Sequence, residues 1–200
     1  MSNQKEIAGL ILSAGFSRRM GSFKPLMKLN GTEFINSAID KLLLVCNKIV
    51  IVTGHKSEEL IESVNAYLLR EENLKFQNNI FLLKNENPAE GMFSSLKIGV
   101  SELKDYEWIL YHFVDQPQIP KLFYPEFVKQ ADDNYDWIQP VYDGKKGHPI
   151  LFNKNLVSRI IKSKKGNLKE ISSSKSIKKK FWECNYSEVL KDFDRPEDLD

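Results

Sequence analysis

Three cationic side chains, Arg18, Arg19 and Lys24, follow a short apolar run near the start of the 200-residue chain. Gly15 and Gly21 flank the two arginines, and glycine permits positive φ and close approach of the backbone to a ligand. No carboxylate lies between residues 12 and 26 to neutralise this charge. Cations beside free backbone N–H groups bind phosphates. The alternative interpretation, a surface loop with scattered cations, explains this composition less well. We therefore predict a polyphosphate-binding loop.

This loop matches neither of two common phosphate-binding signatures. It has no Gly-Lys-Ser/Thr sequence, which excludes a Walker A loop. It also lacks the Gly-x-Gly-x-x-Gly pattern of a dinucleotide fingerprint. The chain contains no arrangement typical of a Ser-His-Asp or Cys-His nucleophile, which is consistent with direct displacement at phosphorus.

A second candidate segment begins at Gly91 and contains the small hydroxyl residues Ser94 and Ser95. The pattern predicts that they stand at the start of a helix, where free backbone N–H groups favour anions and polar acceptors. Ser94 is equally well explained as the N-cap of that helix.

Carboxylates occur at two further places. Asp115 ends an apolar run and is followed by Gln116 and Pro117, so it is expected at the carboxyl end of a strand. Mg²⁺ is usually held by one or two carboxylates plus phosphate oxygens, although an Asp in this place can simply form a turn. Asp192 and Asp194 would project from one face of an extended segment and can supply a second carboxylate if that segment returns to the site. Otherwise the sequence from residue 196 simply starts a terminal helix.

The elements that must position these residues alternate between strand and helix, which predicts a three-layer α/β/α fold with a largely parallel sheet and right-handed crossovers. Ligands bind beyond the carboxyl ends of the strands in such folds. Apolar runs predict strands at residues 7–12, 48–53, 80–83, 108–114, 137–142 and 149–152. Helical spacing predicts helices at 32–45, capped by Thr32, and at 57–68, 94–103, 122–131 and 155–161.

The composition bounds the class of protein. With 200 residues and 42% hydrophobic residues, the chain is expected to form a single domain, residues 1–200. A formal net charge of +2 gives no general attraction to nucleic acid or a membrane, so neither is expected as a partner. The Lys-rich stretch 159–180 is interpreted as a solvated helix and loop. Two cysteines far apart and no signal-like segment predict a cytoplasmic location.

Five segments in order along the chain resemble the MobA-like nucleotidyltransferases, and among them the molybdenum cofactor cytidylyltransferases. These segments are Leu12-Ser13-Ala14-Gly15-x-Ser17-x-Arg19-Met20-Gly21-x-x-Lys24, Gly91-Met92-x-Ser94-Ser95-Leu96, Asp115-Gln116-Pro117, Gly147-His148-Pro149 and Asp192-x-Asp194-x-Pro196-Glu197-Asp198-Leu199. The resemblance implies a Rossmann-like fold of the nucleotide-diphospho-sugar transferase type. It also implies transfer of CMP from CTP to molybdopterin cofactor, with release of pyrophosphate and with Mg²⁺ as cofactor.

The resemblance also implies roles for individual residues. Lys24, Arg19 and Asp115 would be catalytic, and Asp115, Asp194 and Asp192 are candidate metal ligands. His148 and Gln116 would face the substrate. The candidate nucleotide-binding residues are Leu12, Ser13, Ala14, Gly15, Arg18, Arg19, Lys24, Gly91, Ser94 and Ser95.

The base and the acceptor leave alternatives open. Relatives that use GTP tend to carry a second glycine in place of Ala14 and Met in place of Gln116, so both positions favour CTP. Phe93 and Val114 depart from the family pattern and are expected to reshape the pocket. The alternatives are a GTP-using guanylyltransferase, cytidylyl or uridylyl transfer to a sugar or polyol phosphate, and a module that delivers cofactor to a molybdenum hydroxylase apoenzyme. A monomer or a weak homo-oligomer is expected.

Overall fold

The structure, a computed structural model, describes residues 5–17, 20–164 and 166–199. Its strands are β1 (Ile7–Ser13), β2 (Lys28–Leu29), β3 (Thr32–Glu33), β4 (Lys48–Thr53), β5 (Ile80–Lys84), β6 (Trp108–Phe113), β7 (Trp137–Tyr142), β8 (Lys145–Lys146), β9 (Ile150–Asn153) and β10 (Lys179–Glu183). Its α-helices are α1 (Phe34–Leu42), α2 (Ser57–Leu68), α3 (Met92–Glu102), α4 (Phe123–Val128), α5 (Lys154–Lys162) and α6 (Leu168–Ser172). Short 3₁₀ helices cover Lys24–Leu26, Glu71–Asn79, Pro88–Glu90, Ser187–Leu190 and Pro196–Leu199.

The main sheet is mostly parallel. Its strand order is β10-β7-β9-β6-β1-β4-β5, and β8 pairs with β7. β1 runs parallel to both β4 and β6, whereas β9 is antiparallel to its neighbours β6 and β7. The carboxyl ends of β1, β4, β5 and β6 therefore meet at one edge of the sheet, where the predicted site loops begin.

Apolar side chains cover both faces of the sheet. In β1, Ile7 and Ile11 pack on the face covered by α1, α2 and α4, whereas Ala8 and Leu10 pack on the face covered by α3 and α5. Because both faces are buried, the strand shows a continuous apolar run rather than alternation. The predicted three-layer α/β/α fold is confirmed.

The first predicted helix begins too early. Residues 28–33 form the β2–β3 hairpin, in which Asn30 and Gly31 adopt φ values of 51° and 81°. An Asn-Gly pair is typical of a two-residue hairpin turn because both of its positions need positive φ. Thr32 therefore lies in β3 and does not cap α1, whose N-cap position is Glu33.

The Lys-rich stretch 159–180 is more structured than predicted. It contains the end of α5, all of α6 and the first residues of β10, which pairs with β7 alone. Lysines on an edge strand such as β10 discourage pairing with another chain. Because β10 contains these lysines, apolar patterning does not reveal it as a strand. Among the described helices, none has the length and apolar character needed to cross a membrane.

Candidate active site

A cavity of about 420 Å³ lies at the carboxyl ends of β1 and β6, as the parallel-sheet rule predicts. Most of the residues predicted for the site line it. Its walls are formed by Leu12, Ser13, Ala14, Gly15, Phe16, Ser17, Met20, Lys24, Pro25, Pro88, Gly91, Met92, Ser95, Phe113, Val114, Asp115 and Asp194. Predicted residues outside this lining are Ser94, Gln116, His148 and Asp192. Arg18 and Arg19 lie outside the described residues.

The Lys24 ammonium is held between two carboxylates at the cavity wall. Its Nζ lies 3.0 Å from Asp115 Oδ2 and 2.7 Å from Asp194 Oδ1. Burial opposes the charged form, but the bonds to Asp194 and Asp115 outweigh this effect and raise the pKa of Lys24 above its ordinary value. Lys24 is therefore a fixed positive charge near neutral pH.

One oxygen of Asp115 is suited to a cation. Oδ1 is buried, and no described residue donates a hydrogen bond to it. A buried carboxylate oxygen that accepts no hydrogen bond destabilises the fold unless a bound ligand or metal ion interacts with it. No group of three or more His, Cys, Asp or Glu side chains in the described ranges could hold a metal ion by itself. Asp115 and Asp194 nevertheless fit Mg²⁺, which takes one or two carboxylates and completes its octahedron with phosphate oxygens and water.

The segment that carries Asp194 is attached to the loop that carries Asp115. The Phe193 N–H donates to the Asp115 carbonyl at 2.9 Å. Gln116, fully buried, donates through Nε2 to Asp192 Oδ1 at 2.9 Å. Gln118 Nε2 donates to the Lys191 carbonyl at 2.8 Å. The structure thus brings the C-terminal carboxylates to the site, with Asp194 on the cavity wall and Asp192 directed toward Gln116.

Asp192 is an electrostatically unfavourable carboxylate. Desolvation and the neighbouring charge of Asp115 raise its pKa to about 6, and the bond from Gln116 only partly opposes this effect. Gln116, predicted to face the substrate, lies behind the cavity wall and bonds to the C-terminal segment.

The β1 loop is fixed at two points. Ser17 adopts a φ of 49°, and its Oγ accepts a hydrogen bond from the Lys24 N–H at 3.1 Å. The Ala14 carbonyl accepts from the His55 N–H at 3.2 Å. Ser13 Oγ is buried on the cavity wall, and no described residue bonds to it. The Ser13 hydroxyl is therefore available to form a hydrogen bond with a ligand in the cavity.

At the start of α3 the helix begins at Met92, with Gly91 at the N-cap position and a φ of 91°. Ser94 therefore lies in the first turn and is not the N-cap. Phe93 is buried in the core and is not part of the cavity lining, whereas Val114 is. Asn85, which motif analysis missed, bonds to both serines. Its place directly after β5 is the signal that could have revealed it.

Comparison with known families assigns the chain. Residues 9–178 match the family model described as "MobA-like NTP transferase domain". The chain belongs to this family. It is accordingly a nucleotidyltransferase, and the match ends before Asp192 and Asp194.

Individual relatives of the chain differ in the nucleotide for which they are named. A Bacillus cytotoxicus protein named "Probable molybdenum cofactor guanylyltransferase" is 27% identical and covers 87% of this chain and 83% of its own. The Escherichia coli "Molybdenum cofactor cytidylyltransferase" is 26% identical and covers 95% and 92%. A solved nucleotidyl transferase from Methanothermobacter thermautotroptrophicus shares the fold, with a TM-score of 0.75, 19% identity and coverage of 96% and 94%.

The three histidines of the chain occupy different environments. His148 lies against Phe113, with ring centroids 4.3 Å apart, and burial lowers its pKa despite the nearby charge of Asp115. His112 is a buried core residue whose Nε2 lies 2.6 Å from the Tyr124 hydroxyl. His55 packs beside Phe16. His148 thus contacts a residue of the cavity wall without lining the cavity itself.

Gly147 allows the C-terminal segment to pack closely. A Cβ added there would lie 2.5 Å from both the carbonyl oxygen and Cγ2 of Val189. We expect Gly147→Ala to displace this segment, lowering the free energy of unfolding by about 1–3 kcal/mol and turnover by about tenfold. Urea denaturation and initial rates measure the two effects. Gly166→Ala is the control, because its Cβ would meet open space. Wild-type rates in Gly147→Ala would contradict the expectation.

Lys41 is a buried cation that bonds to the loop after β6. Its Nζ donates to the Pro117 carbonyl, which also accepts from Ser37 Oγ at 3.3 Å. Burial, aided by the charge of Lys121, lowers the pKa of Lys41 from 10.5 to about 8. Between these pH values the unfolded chain binds more protons, so the free energy of unfolding rises with pH. The charged form thus costs the fold about 3 kcal/mol at pH 7.

We therefore expect Lys41→Met to raise the free energy of unfolding at pH 7 by about 2 kcal/mol, since about 1 kcal/mol is lost with the hydrogen bond. The gain should disappear as the pH approaches 10.5, because folded Lys41 is then neutral and only about half of the unfolded chains still carry its charge. Urea titrations at pH 7 and pH 10 measure it, with Lys104→Met as control, because Lys104 is exposed and is not among the charges that shift the pKa of Lys41. A less stable Lys41→Met protein at pH 7 would refute this account.

Proposed function

We propose that the chain transfers CMP from CTP to molybdopterin cofactor, with release of pyrophosphate and dependence on Mg²⁺, as one cytoplasmic domain formed by residues 1–200. The observation that carries the proposal is the Lys24 ammonium, which lies within 3.0 Å of both Asp115 and Asp194 at the wall of a cavity lined by the β1 loop. A nucleoside triphosphate needs this combination of a fixed cation and carboxylates that can hold a metal.

The chain's own residues act by positioning and by charge. The phosphate of the acceptor is largely ionised near neutral pH because its second pKa is about 6, so no general base is required for attack on the α-phosphorus. The new oxygen–phosphorus bond forms as the bond to pyrophosphate breaks. Lys24 would neutralise the charge that develops on the phosphates, and the backbone at Ala14 and Gly15 would hold the nucleotide.

Asp115 and Asp194 are the residues that would hold Mg²⁺. When bound, the ion would neutralise phosphate charge and orient the triphosphate. The unpartnered Asp115 Oδ1 supports this assignment because it is a buried oxygen that accepts no hydrogen bond from a described residue. Arg19 would add a further positive charge to the phosphates.

Cytosine is favoured over guanine by the composition of the β1 loop. Ala14 is 5% exposed and packs against Gly54, where an added Cβ would lie 2.7 Å from the Ala14 methyl. The methyl is therefore fixed at a position where GTP-using relatives tend to have glycine. Relatives named for each of the two nucleotides have similar identities to this chain, so identity alone does not choose between them.

The test is pyrophosphate release by the purified chain with Mg²⁺, molybdopterin cofactor and each of the four nucleoside triphosphates in turn. We expect release with CTP. Release with GTP and none with CTP would overturn the base assignment and leave the reaction class intact. Release with CTP only when a sugar or polyol phosphate replaces the pterin would overturn the acceptor. Intact CTP after long incubation with every acceptor would favour a delivery role toward a molybdenum hydroxylase.

A further inference from the structure

Asn85 has a defined orientation beneath the start of α3. The residue is 3% exposed and does not belong to the cavity lining. Its Oδ1 accepts the Asn87 N–H at 2.9 Å, and a backbone N–H can only donate. This contact therefore fixes which end of the amide is oxygen, so the NH₂ group faces the two serines. Nδ2 lies 2.9 Å from Ser94 Oγ and 2.8 Å from Ser95 Oγ.

The amide determines what each hydroxyl can do. Because Asn85 donates to both oxygens, each serine has its single hydrogen left to donate elsewhere. Ser94 donates its hydrogen to the Gly91 carbonyl at 2.8 Å. Ser95 lines the cavity, and within the described part of the chain its hydroxyl has no hydrogen bond besides the one from Asn85. The Ser95 hydrogen is thus available to an acceptor in the cavity.

We infer that Asn85 is a positioning residue that makes the Ser95 hydroxyl a hydrogen-bond donor toward the base of the bound nucleotide. The inference rests on the proposed function, in that the cavity must receive a nucleotide. The ligand group that fits is an acceptor, either a carbonyl oxygen or an unprotonated ring nitrogen. Cytosine presents these two acceptors side by side at O2 and N3, whereas the corresponding edge of guanine has one acceptor, O6, beside the N1–H and N2–H donors.

The expected effect is that of one hydrogen bond to a neutral partner. Loss of such a bond weakens binding by about five- to tenfold. Removal of Asn85 and removal of Ser95 act on the same bond, so their effects on CTP affinity must not add. Ser94 does not line the cavity, so its removal leaves the effect of Asn85 unchanged.

The experiment is calorimetric titration of the full chain with CTP and Mg²⁺ in the absence of acceptor. We expect Asn85→Ala to weaken CTP binding about five- to tenfold in the wild-type and Ser94→Ala backgrounds, and less than about twofold in the Ser95→Ala background. Asn85→Asp keeps the side-chain size and the bond from Asn87 but cannot donate. Because its carboxylate also repels the phosphates, its loss of CTP affinity is compared with its loss of affinity for inorganic tripolyphosphate, and the excess for CTP should disappear in the Ser95→Ala background. This second variant keeps the test decisive if Asn85→Ala folds poorly.

Inorganic tripolyphosphate separates positioning from a merely structural role. It carries the phosphate charges but no base, so Asn85→Ala should bind it as the wild type does. Additive losses with Ser95→Ala, or an equal loss for tripolyphosphate, would overturn the inference while CTP binding by the wild type keeps the proposed function. If the wild type binds GTP and not CTP, the cycle is run with GTP, and non-additivity there supports Asn85 while the cytosine assignment fails. No binding of any nucleotide by the wild type would overturn both.

Discussion

Asp194→Asn and Asp115→Asn should each lower turnover by about 10³-fold, equal to about 4 kcal/mol of transition-state stabilisation, whereas Asp192→Asn should lower it less than about threefold. Asp115 and Asp194 line the cavity and share the Lys24 ammonium. Asp192 instead accepts a hydrogen bond from Gln116, and an asparagine oxygen can accept that bond equally well.

The measurement is kcat at saturating nucleotide and Mg²⁺, with circular dichroism to verify the fold of each variant. Asp192→Asn is the matched control because it removes a carboxylate two residues from Asp194 in the same segment. A large loss in Asp192→Asn together with a small loss in Asp194→Asn would exchange their roles. Unchanged turnover in Asp115→Asn would contradict a metal-binding role for this loop.

Lys24→Met should also lower turnover by about 10³-fold, and it should make the stability of the fold depend on a divalent cation. Without the ammonium, Asp115 and Asp194 lose the cation that they share. Their side chains are 21% and 33% exposed, so solvent screens part of the repulsion. We expect a loss of about 1–2 kcal/mol in the free energy of unfolding. Mg²⁺ can take the place of the missing charge.

Thermal denaturation with and without Mg²⁺ measures this second effect. The melting temperature of Lys24→Met should rise with Mg²⁺ by several degrees more than that of the wild type, in which Lys24 already bridges the carboxylates. Lys56→Met is the control, because Lys56 pairs with Glu59 on an exposed surface. Equal responses to Mg²⁺ in Lys24→Met and the wild type would argue against a cation site between the two carboxylates.

Apolar patterning in the sequence predicts the strands that are buried on both faces. β1 and β4 are continuous apolar runs because they are covered on both faces, and their predicted bounds agree with the structure to within one residue. Patterning failed for β10 because an edge strand with Lys179 and Lys180 lacks that signal. Patterning also missed the β2–β3 hairpin before α1, although the Asn30-Gly31 pair is typical of a hairpin turn.

The sequence indicates several residues of the candidate site, but it does not show how the C-terminal segment is held against them. Glycine, lysine and aspartate at strand ends indicated Lys24 and Asp115. The return of the C-terminal segment depends on side-chain amides such as Gln116 and Gln118, which bond to backbone carbonyls. Any residue supplies such a carbonyl, so the sequence contains no complementary partner to search for. Asn85 was missed because it forms no known motif with its partners, two serines and a backbone N–H, although it follows β5 directly.

The distance along the chain between Lys24 and Asp194 has a consequence for folding. These residues are 170 positions apart, so closing the loop between them costs entropy, and we expect their contact to form late, after the intervening strands have paired. The segment carrying Asp194 is held by a few hydrogen bonds and by buried Val189 and Phe193. Contacts of this kind open locally at lower free energy than a central sheet. In urea, catalytic activity should therefore disappear before the circular dichroism of the sheet, and hydrogen exchange should be faster in this segment than in β1, β4 and β6.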